Sequence, residues 1–274
     1  MRTVPRLSVF WLAVMLLFAS PSAISAASFE FSVTAKTAFD KMRGAADKST
    51  AAKLSAQYSE LQRTQKLLID WDTRIDKLHY QNEEAMLATR KVIKEIDADK
   101  LLKLESAIEQ AKKKYVPLFQ LYDSLNQQLN IAKSFKDKLS VSILKPQVET
   151  TKAAVQLAKL DIRSKEAALK SAKSNTAGTI KKLRNQLSGI DPLKVKIKAA
   201  KSTISTVKKQ FSTEISLLNQ AVKKGDAAGT SNSLARMLAY IKQINEQKQK
   251  TYSYEQQTME IIAKVDAQIL SLKK

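Results

Sequence analysis

The sequence feature that most constrains the fold is a seven-residue apolar repeat that runs from Val148 to Leu218. Every seventh residue of this stretch is apolar apart from one threonine: Val148, Val155, Ile162, Leu169, Thr176, Leu183, Ile190, Ile197, Ile204, Phe211 and Leu218. A repeat sustained over this length is typical of a coiled-coil helix, because it keeps one seam facing a partner helix. The fourth heptad positions are smaller or more polar, which predicts a narrow seam.

Lysines stand beside this seam, at the fifth position of the heptad. They are Lys152, Lys159, Lys173, Lys194, Lys201 and Lys208. Seven helical residues rise about 10 Å, so the pattern predicts a row of positive charges at a regular pitch. Between Pro146 and Lys224 there are 17 basic residues and only 5 acidic ones, so pairing within the chain neutralises only part of the row. We interpret the row as a surface for a polyanion; a purely solubilising surface is the alternative.

The positive charge of the chain is large and unevenly distributed. The sequence holds 47 basic and 26 acidic residues, a net charge of +21. Residues 28–130 are nearly balanced, with 17 basic and 15 acidic residues, whereas residues 131–274 contain 28 and 11. Lysines outnumber arginines by 38 to 9, which favours diffuse attraction to a polyanion over bidentate recognition by arginine. With only five glycines and five prolines, the composition favours long helices.

The first 27 residues have the layout of a secretory signal peptide. Arg2 and Arg6 precede an apolar run from Leu7 to Ala19, and small residues follow at 25–27. We expect cleavage near Ala26 or Ala27, with an uncleaved N-terminal anchor as the alternative, and no membrane span after cleavage. The absence of cysteine excludes a disulfide framework, a thiolate metal site and a lipoprotein cysteine.

The first half of the chain predicts two further coiled-coil helices. One seam runs from Leu54 to Ile96 and includes Asn82; a second begins at Leu101 and continues through Pro117 to Ile143. Between them, Asp97 and Asp99 are expected to cap the second helix. Before these helices, residues 29–33 alternate like a short strand, which we interpret as a leader segment.

Three more breaks are expected in the second half. Pro146 is expected to open a new helix, because proline suits the first helical turn. The sequence from Ser188 to Pro192 predicts a turn that folds the basic stretch into an antiparallel pair. Residues 223–232 contain Gly225 and Gly229 and predict a loop, after which a last helix extends from about Ser231 to Leu272.

Residues suited to catalysis are sparse. His79 is the only histidine, and it lies beside the first seam, where a boundary position is the expected role. Carboxylates cluster at 70–76, 83–84 and 97–99, but lysines and arginines are interspersed, as on a solvated helix face. Tyr252 and Tyr254 could stack on sugar rings, although packing is the commoner role of tyrosine in a helix. We therefore expect no enzyme, no metal site and no cofactor.

A short segment resembles a known family. The residues from Leu217 to Asp226, with a Lys-Lys-Gly-Asp turn, are followed by Leu234, Leu238, Ile241 and Ile244. This pattern resembles helix-turn units in the all-helical, basic N-terminal region of bacillus-type S-layer proteins. The resemblance implies short helical bundles joined end to end that bind an anionic cell-wall polymer, and here a free-standing anchor or adaptor.

These observations predict an all-α protein, an elongated antiparallel coiled-coil or helical-bundle array of four to five long helices. The expected segments are a signal peptide (1–27), near-neutral coiled-coil helices (28–145), a basic coiled coil (146–224) and a C-terminal helix packing on the bundle (225–274). The expected polyanion-binding residues are Lys152, Lys159, Lys173, Lys181, Lys182, Arg184, Lys194, Lys196, Lys198, Lys201, Lys208 and Lys209.

The predicted function is that of an exported, non-enzymatic protein, secreted or associated with the cell envelope, that binds an anionic envelope polymer or surface. The apolar seams also allow self-association, and nucleic acid is expected only as a non-specific polyanion. The alternative is an extracytoplasmic chaperone or helical toxin component that uses apolar helix faces.

Overall fold

The fold was obtained as a computed structural model, which describes residues 29–272. The all-α prediction is confirmed, and no strand occurs among the described residues. The helices are α1 (Val33–Ala45), α2 (Lys48–Lys94), α3 (Ala98–Ser134), α4 (Lys138–Leu187), α5 (Ile190–Lys224) and α6 (Ala227–Leu272). Five of them have 35 to 50 residues, in agreement with the expected four to five long helices. The predicted signal peptide lies outside the described residues.

The described residues form two compact units. Unit 1 contains residues 29–80 and 193–256, and unit 2 contains residues 81–192 and 257–272. Both units therefore include part of the basic stretch. The segments 28–145, 146–224 and 225–274, which were drawn from charge, remain a prediction.

The core of unit 1 is formed by the apolar seams of α2, α5 and α6. The fully buried side chains include Leu54, Leu61, Leu68, Phe211, Leu218, Leu234, Met237, Ile241 and Ile244. The heptad positions predicted from Leu54 and from Ile197 onward are therefore the positions that pack. This confirms the predicted seams in the unit 1 parts of α2 and α5.

Helix α1 closes one part of this core and was not predicted. Ser32 accepts a hydrogen bond from the Ala35 amide at 3.3 Å and begins the helix, so residues 29–33 form no strand. Phe29 and Phe31 are buried, with ring centroids 4.8 Å apart in an edge-to-face arrangement. Phe39 is fully buried 5.5 Å from the ring of Tyr58. The leader segment is thus an ordered aromatic cover on unit 1.

In unit 2, α3 and α4 pack as an antiparallel pair. Lys112 pairs with Glu166 and Lys173 with Glu105, both at 2.7 Å, so residue numbers rise along one helix as they fall along the other. A second cluster joins the end of α2 and the end of α6 to α4, and contains Met86, Ile93, Leu183, Leu187, Ile190, Ile262, Val265 and Ile269. Of the predicted α4 seam, Val148, Val155, Thr176 and Leu183 are buried, and Ile162 and Leu169 are partly buried.

Thr176, the one polar residue in the long seam, has a specific partner. Its hydroxyl donates to Asp97 Oδ2 at 2.6 Å, and its side chain is buried. Asp97 occupies the position before α3, but its carboxylate makes no capping hydrogen bond to that helix. The expected capping role of Asp97 is wrong, because the carboxylate binds across to α4.

The turn between α3 and α4 comes earlier than the sequence suggested. Helix α3 continues through Pro117, as expected, but ends at Ser134, and α4 begins at Lys138 and continues through Pro146. The prediction of a new helix at Pro146 is wrong: this proline lies on an exposed face, where water can satisfy the carbonyl that loses its helical partner. Leu139 and Ile143 are exposed and do not extend the α3 seam.

The two remaining breaks are tighter than predicted. Ser188 keeps helical backbone angles, φ −65° and ψ −15°, so the chain does not reverse there. The prediction that α4 and α5 form an antiparallel pair is therefore wrong. The reversal occurs at Gly225, whose φ of +69° is the left-handed conformation that glycine tolerates best. Helix α6 then begins at Ala227, because Asp226 caps it by accepting from the Gly229 amide at 2.8 Å. The predicted ten-residue loop is therefore two residues long.

Candidate polyanion-binding surface

The twelve predicted polyanion-binding residues fall on α4 in unit 2 and on α5 in unit 1. Eleven of them are exposed; Lys208 alone is half-buried. The α4 group contains Lys152, Lys159, Lys173, Lys181, Lys182 and Arg184, and the α5 group contains Lys194, Lys196, Lys198, Lys201, Lys208 and Lys209. Each unit therefore has its own set of accessible positive charges.

Few of these charges are neutralised by the protein. Among the described residues, the only ion pair made by one of the eleven exposed members is that between Lys173 and Glu105. Two of the three acids of α4 are used elsewhere: Asp161 pairs with Lys165 at 2.5 Å, and Glu166 pairs with Lys112. Most of the exposed charge on α4 and α5 is thus available to an external anion.

Two members of the α5 group have a structural role in unit 1. The ammonium of Lys196 lies 5.6 Å from the ring centroid of Tyr254, a cation–π contact. Burial lowers the pKa of Lys208, as does repulsion from Lys248, while Asp72 opposes both effects. Lys208 therefore belongs to the packed interior of the bundle more than to the exposed row.

A basic cleft of about 340 Å³ lies in unit 2. Arg90, Lys94 and Arg184 line it together with Asp191, above an apolar floor that contains Ile93 and Leu187. Arg90 and Lys94 come from α2, so the cleft joins two helices that are distant in sequence. Guanidinium groups that line one cleft suit the oxygens of phosphate or carboxylate. Sequence analysis found Arg184 but missed Arg90 and Lys94, because only the packing of α2 against α4 brings them together.

The interior of unit 1 contains a buried lysine. Lys248, on α6, has only 2% of its surface exposed; its ammonium donates to the Leu68 carbonyl at 3.0 Å and forms an ion pair with Asp72. The sequence showed that this part of α6 is polar, but it did not identify the acidic residue that pairs with Lys248. Since charges are seldom buried unless they are paired, the ion pair accounts for the lysine in the core.

Other polar residues of unit 1 also have packing roles. His79 lies at the boundary of the bundle, as expected, with Nδ1 2.9 Å from Oε1 of the buried Glu255. Tyr252 packs against Trp71 at a centroid distance of 5.5 Å, which supports the packing interpretation of the tyrosines. Within residues 29–272, no group of three or more acidic or histidine side chains is placed to hold a metal ion.

A second ion pair, between a buried glutamate and a half-exposed arginine, joins α5 to α6. Glu214 is only 5% exposed and accepts two hydrogen bonds from the Arg236 guanidinium, at 2.8 and 2.9 Å. Burial raises the pKa of Glu214, but the hydrogen bonds from Arg236 and Ser233 more than offset this and leave the pKa below its usual value. The pair therefore stabilises the fold when Glu214 is ionised.

We expect Arg236→Gln to lower the free energy of unfolding by about 2 kcal/mol at neutral pH, because it leaves a buried carboxylate without its charged donor. Urea denaturation at several pH values measures the loss. Since the pKa of Glu214 is lowered in the folded state, its stabilising effect is present at neutral pH and is lost on acidification, so the loss should shrink below about pH 4. A loss that stays constant down to pH 3 would contradict the assigned role of the pair.

Comparison of the chain with protein-family models, curated proteins and solved structures gave no significant match. The resemblance to the helical region of S-layer proteins therefore remains a prediction. None of the described helices combines the length and apolarity that crossing a bilayer requires.

Proposed function

We propose that this chain is an exported, non-enzymatic helical protein that binds an anionic polymer of the cell envelope through α4 and α5. The observation that carries the proposal is that eleven of the twelve predicted basic residues are exposed, and that Lys173 alone among these eleven forms an ion pair within the described part of the chain.

The mechanism is the sum of many weak contacts. Lysine is a hydrated point charge on a flexible stem, so it attracts a polymer without imposing one geometry. Each lysine close to an anionic surface contributes about 1 kcal/mol, and salt screens this attraction over roughly 8 Å at physiological ionic strength. Binding through such a surface is strong at low salt and weakens steeply as salt rises.

The basic cleft adds a place where one anionic group of the polymer can be held more closely. Arg90 and Arg184 offer planar guanidinium groups, and Lys94 adds a third positive charge. Asp191 lines the same cleft, and its negative charge offsets part of this attraction. The lysine rows would then supply affinity, and the cleft would supply preference for phosphate or carboxylate groups.

The experiment is co-sedimentation of the mature chain, residues 28–274, with purified cell walls before and after removal of their anionic polymers. The mature chain contains every residue of the two apolar cores. We expect Lys194→Gln, Lys201→Gln and Lys209→Gln together to weaken binding at least about tenfold, given the contribution of each lysine.

The matched control removes the same charge from α2 in the same unit. Lys53, Lys66 and Lys77 are exposed, and replacing all three with glutamine should weaken binding by less than about threefold, because only general attraction is lost. Equal losses in the two triple variants would show that net charge, and not the α5 surface, determines binding. Binding that survives polymer removal and high salt would contradict the proposal.

A further inference from the structure

The end of the α3–α4 hairpin in unit 2 exposes several large apolar side chains close together. Ile131, Phe135, Leu139 and Ile143 are 57%, 82%, 73% and 55% exposed. All four lie within residues 131–143, on either side of the turn. They do not hold the two helices together, since Leu129, Ala132 and Val148 are the buried residues in this part of the hairpin.

The turn that presents them has a defined backbone. The Phe135 amide donates to the Ile131 carbonyl at 3.1 Å, and the Asp137 amide donates to the Ala132 carbonyl at 3.0 Å. Lys136 adopts a left-handed conformation, with φ of +55°. Asp137 then caps α4 by accepting from the amides of Leu139 and Ser140, both at 3.1 Å. The exposed Phe135 is therefore part of an ordered turn.

Positive charge surrounds these apolar side chains. Lys133, Lys136, Lys138 and Lys145 are all exposed, and Asp137 is the one acidic residue in the segment 131–145. Its carboxylate is held by the start of α4 and by the Ser140 hydroxyl, at 2.5 Å. The segment thus combines four large apolar side chains with a net charge of +3.

We propose that this segment, residues 131–145, docks on the surface of an anionic lipid bilayer. The apolar side chains enter the boundary between headgroups and acyl chains, and the lysines extend to the anionic headgroups. Exposed apolar area and positive charge are the two contributions from which interfacial binding is built. The contact is interfacial, in keeping with the absence of a bilayer-spanning helix among the described residues.

Charge complementarity favours a bilayer over a second copy of the chain as the occupant. Two hairpin ends brought together would repel each other, because each carries a net charge of +3. An anionic bilayer instead attracts each hairpin end. The segment also shares no residue with the twelve basic residues assigned to polymer binding, so either proposal can fail without the other.

The test is co-sedimentation of the mature chain with vesicles of phosphatidylcholine containing phosphatidylglycerol at about one lipid in three, which places the surface in the strongly anionic range. We expect Phe135→Ser with Leu139→Ser to weaken binding at least about tenfold, because two large apolar side chains no longer enter the interface. The matched control is Leu157→Ser with Leu160→Ser, two leucines of α4 that are 68% and 58% exposed outside the segment. The control should bind within about twofold of the parent chain.

Three results would overturn the proposal. The first is equal vesicle binding by the segment variant and the parent chain. The second is a loss in the control as large as that in the segment variant. The third is a parent chain that is oligomeric by sedimentation and becomes monomeric in the segment variant, which would identify a second copy as the occupant. Wall-polymer binding by the segment variant should stay unchanged.

A labelling measurement gives the same answer without removing an apolar side chain. Because the chain has no cysteine, Ser134→Cys can carry a single environment-sensitive fluorophore, with Ser164→Cys on α4 as the control. Vesicles should raise and blue-shift the emission at position 134 but not at position 164. No change at 134, or equal changes at both positions, would overturn the proposal.

Discussion

The mature chain carrying Asp72→Asn is expected to lose about 3 kcal/mol of its free energy of unfolding, because a buried charge is left without its partner. Lys248 is 2% exposed, and Asp72 is the acidic residue with which it forms an ion pair. The negative charge of Asp72 also acts on the half-buried Lys208. Asparagine keeps the size of the side chain but leaves two neighbouring lysines without their counter-charge, and urea denaturation measures the effect.

Asp70→Asn provides the matched control for this prediction. Asp70 lies one helical half-turn away on α2, is half exposed, and pairs with Arg74 at 2.9 Å. A surface pair of this kind contributes about 0.5 kcal/mol, so the control should be close to the parent chain. Adding Lys248→Met to Asp72→Asn should recover part of the loss, since the fully buried charge of Lys248 is then no longer left without its partner. Equal stability of the two single variants would show that Lys248 does not depend on Asp72.

Phe39→Ala is expected to destabilise the mature chain by about 4 kcal/mol, because it removes a large, fully buried ring from the unit 1 core. The ring of Phe39 lies 5.1 Å from that of Phe31 and 5.5 Å from that of Tyr58, so the cavity would be lined by rigid aromatic side chains that cannot collapse into it. The measurement is thermal or urea unfolding followed by circular dichroism.

Val33→Ala is the control, since Val33 lies in the same helix but is 86% exposed. It should change the stability by less than about 0.5 kcal/mol. If Phe39→Ala and Val33→Ala were equally mild, α1 would not be packed on unit 1, and the aromatic cover would have to be abandoned.

The long helices could be predicted because each carries its own packing signal. A residue such as Phe211 or Leu183 lies at a heptad position, and any partner helix that buries the seam must bury it. Thr176 interrupts the seam without breaking the helix, because its buried hydroxyl has a hydrogen-bond partner in Asp97. Periodicity identifies the buried face of a helix but does not identify what the face packs against.

The short elements could not be predicted, because they depend on the residues that they pack against, which periodicity does not identify. Helix α1 has 13 residues, too few for a repeat to emerge, and its burial depends on Tyr58 of α2. The turn at Lys136 contains neither glycine nor proline, so the usual turn signals are missing. At Pro146 the signal was present but misleading, because an exposed proline can be accommodated within a long helix.

The candidate site was predicted only in part. Exposure of lysines beside a seam follows from helix geometry, and ten of the predicted lysines, together with Arg184, are indeed exposed. The contribution of Arg90 and Lys94 to the cleft depends on which helices pack together, which one sequence does not reveal. The burial of Lys208 beside Asp72 and Lys248 depends on the same spatial order.

The buried lysine of α6 also determines how the helices align along their lengths. A heptad seam is nearly unchanged by a shift of seven residues, so an apolar bundle has alternative alignments of similar energy. Here a shift of α6 by one heptad would bring Ile241 or Glu255 to the place of Lys248, since all three are buried at that spacing. Ile241 would remove the buried ammonium with which Asp72 pairs, and Glu255 would place a second carboxylate beside that of Asp72. The buried charge thus disfavours a shift of α6 by one heptad in either direction.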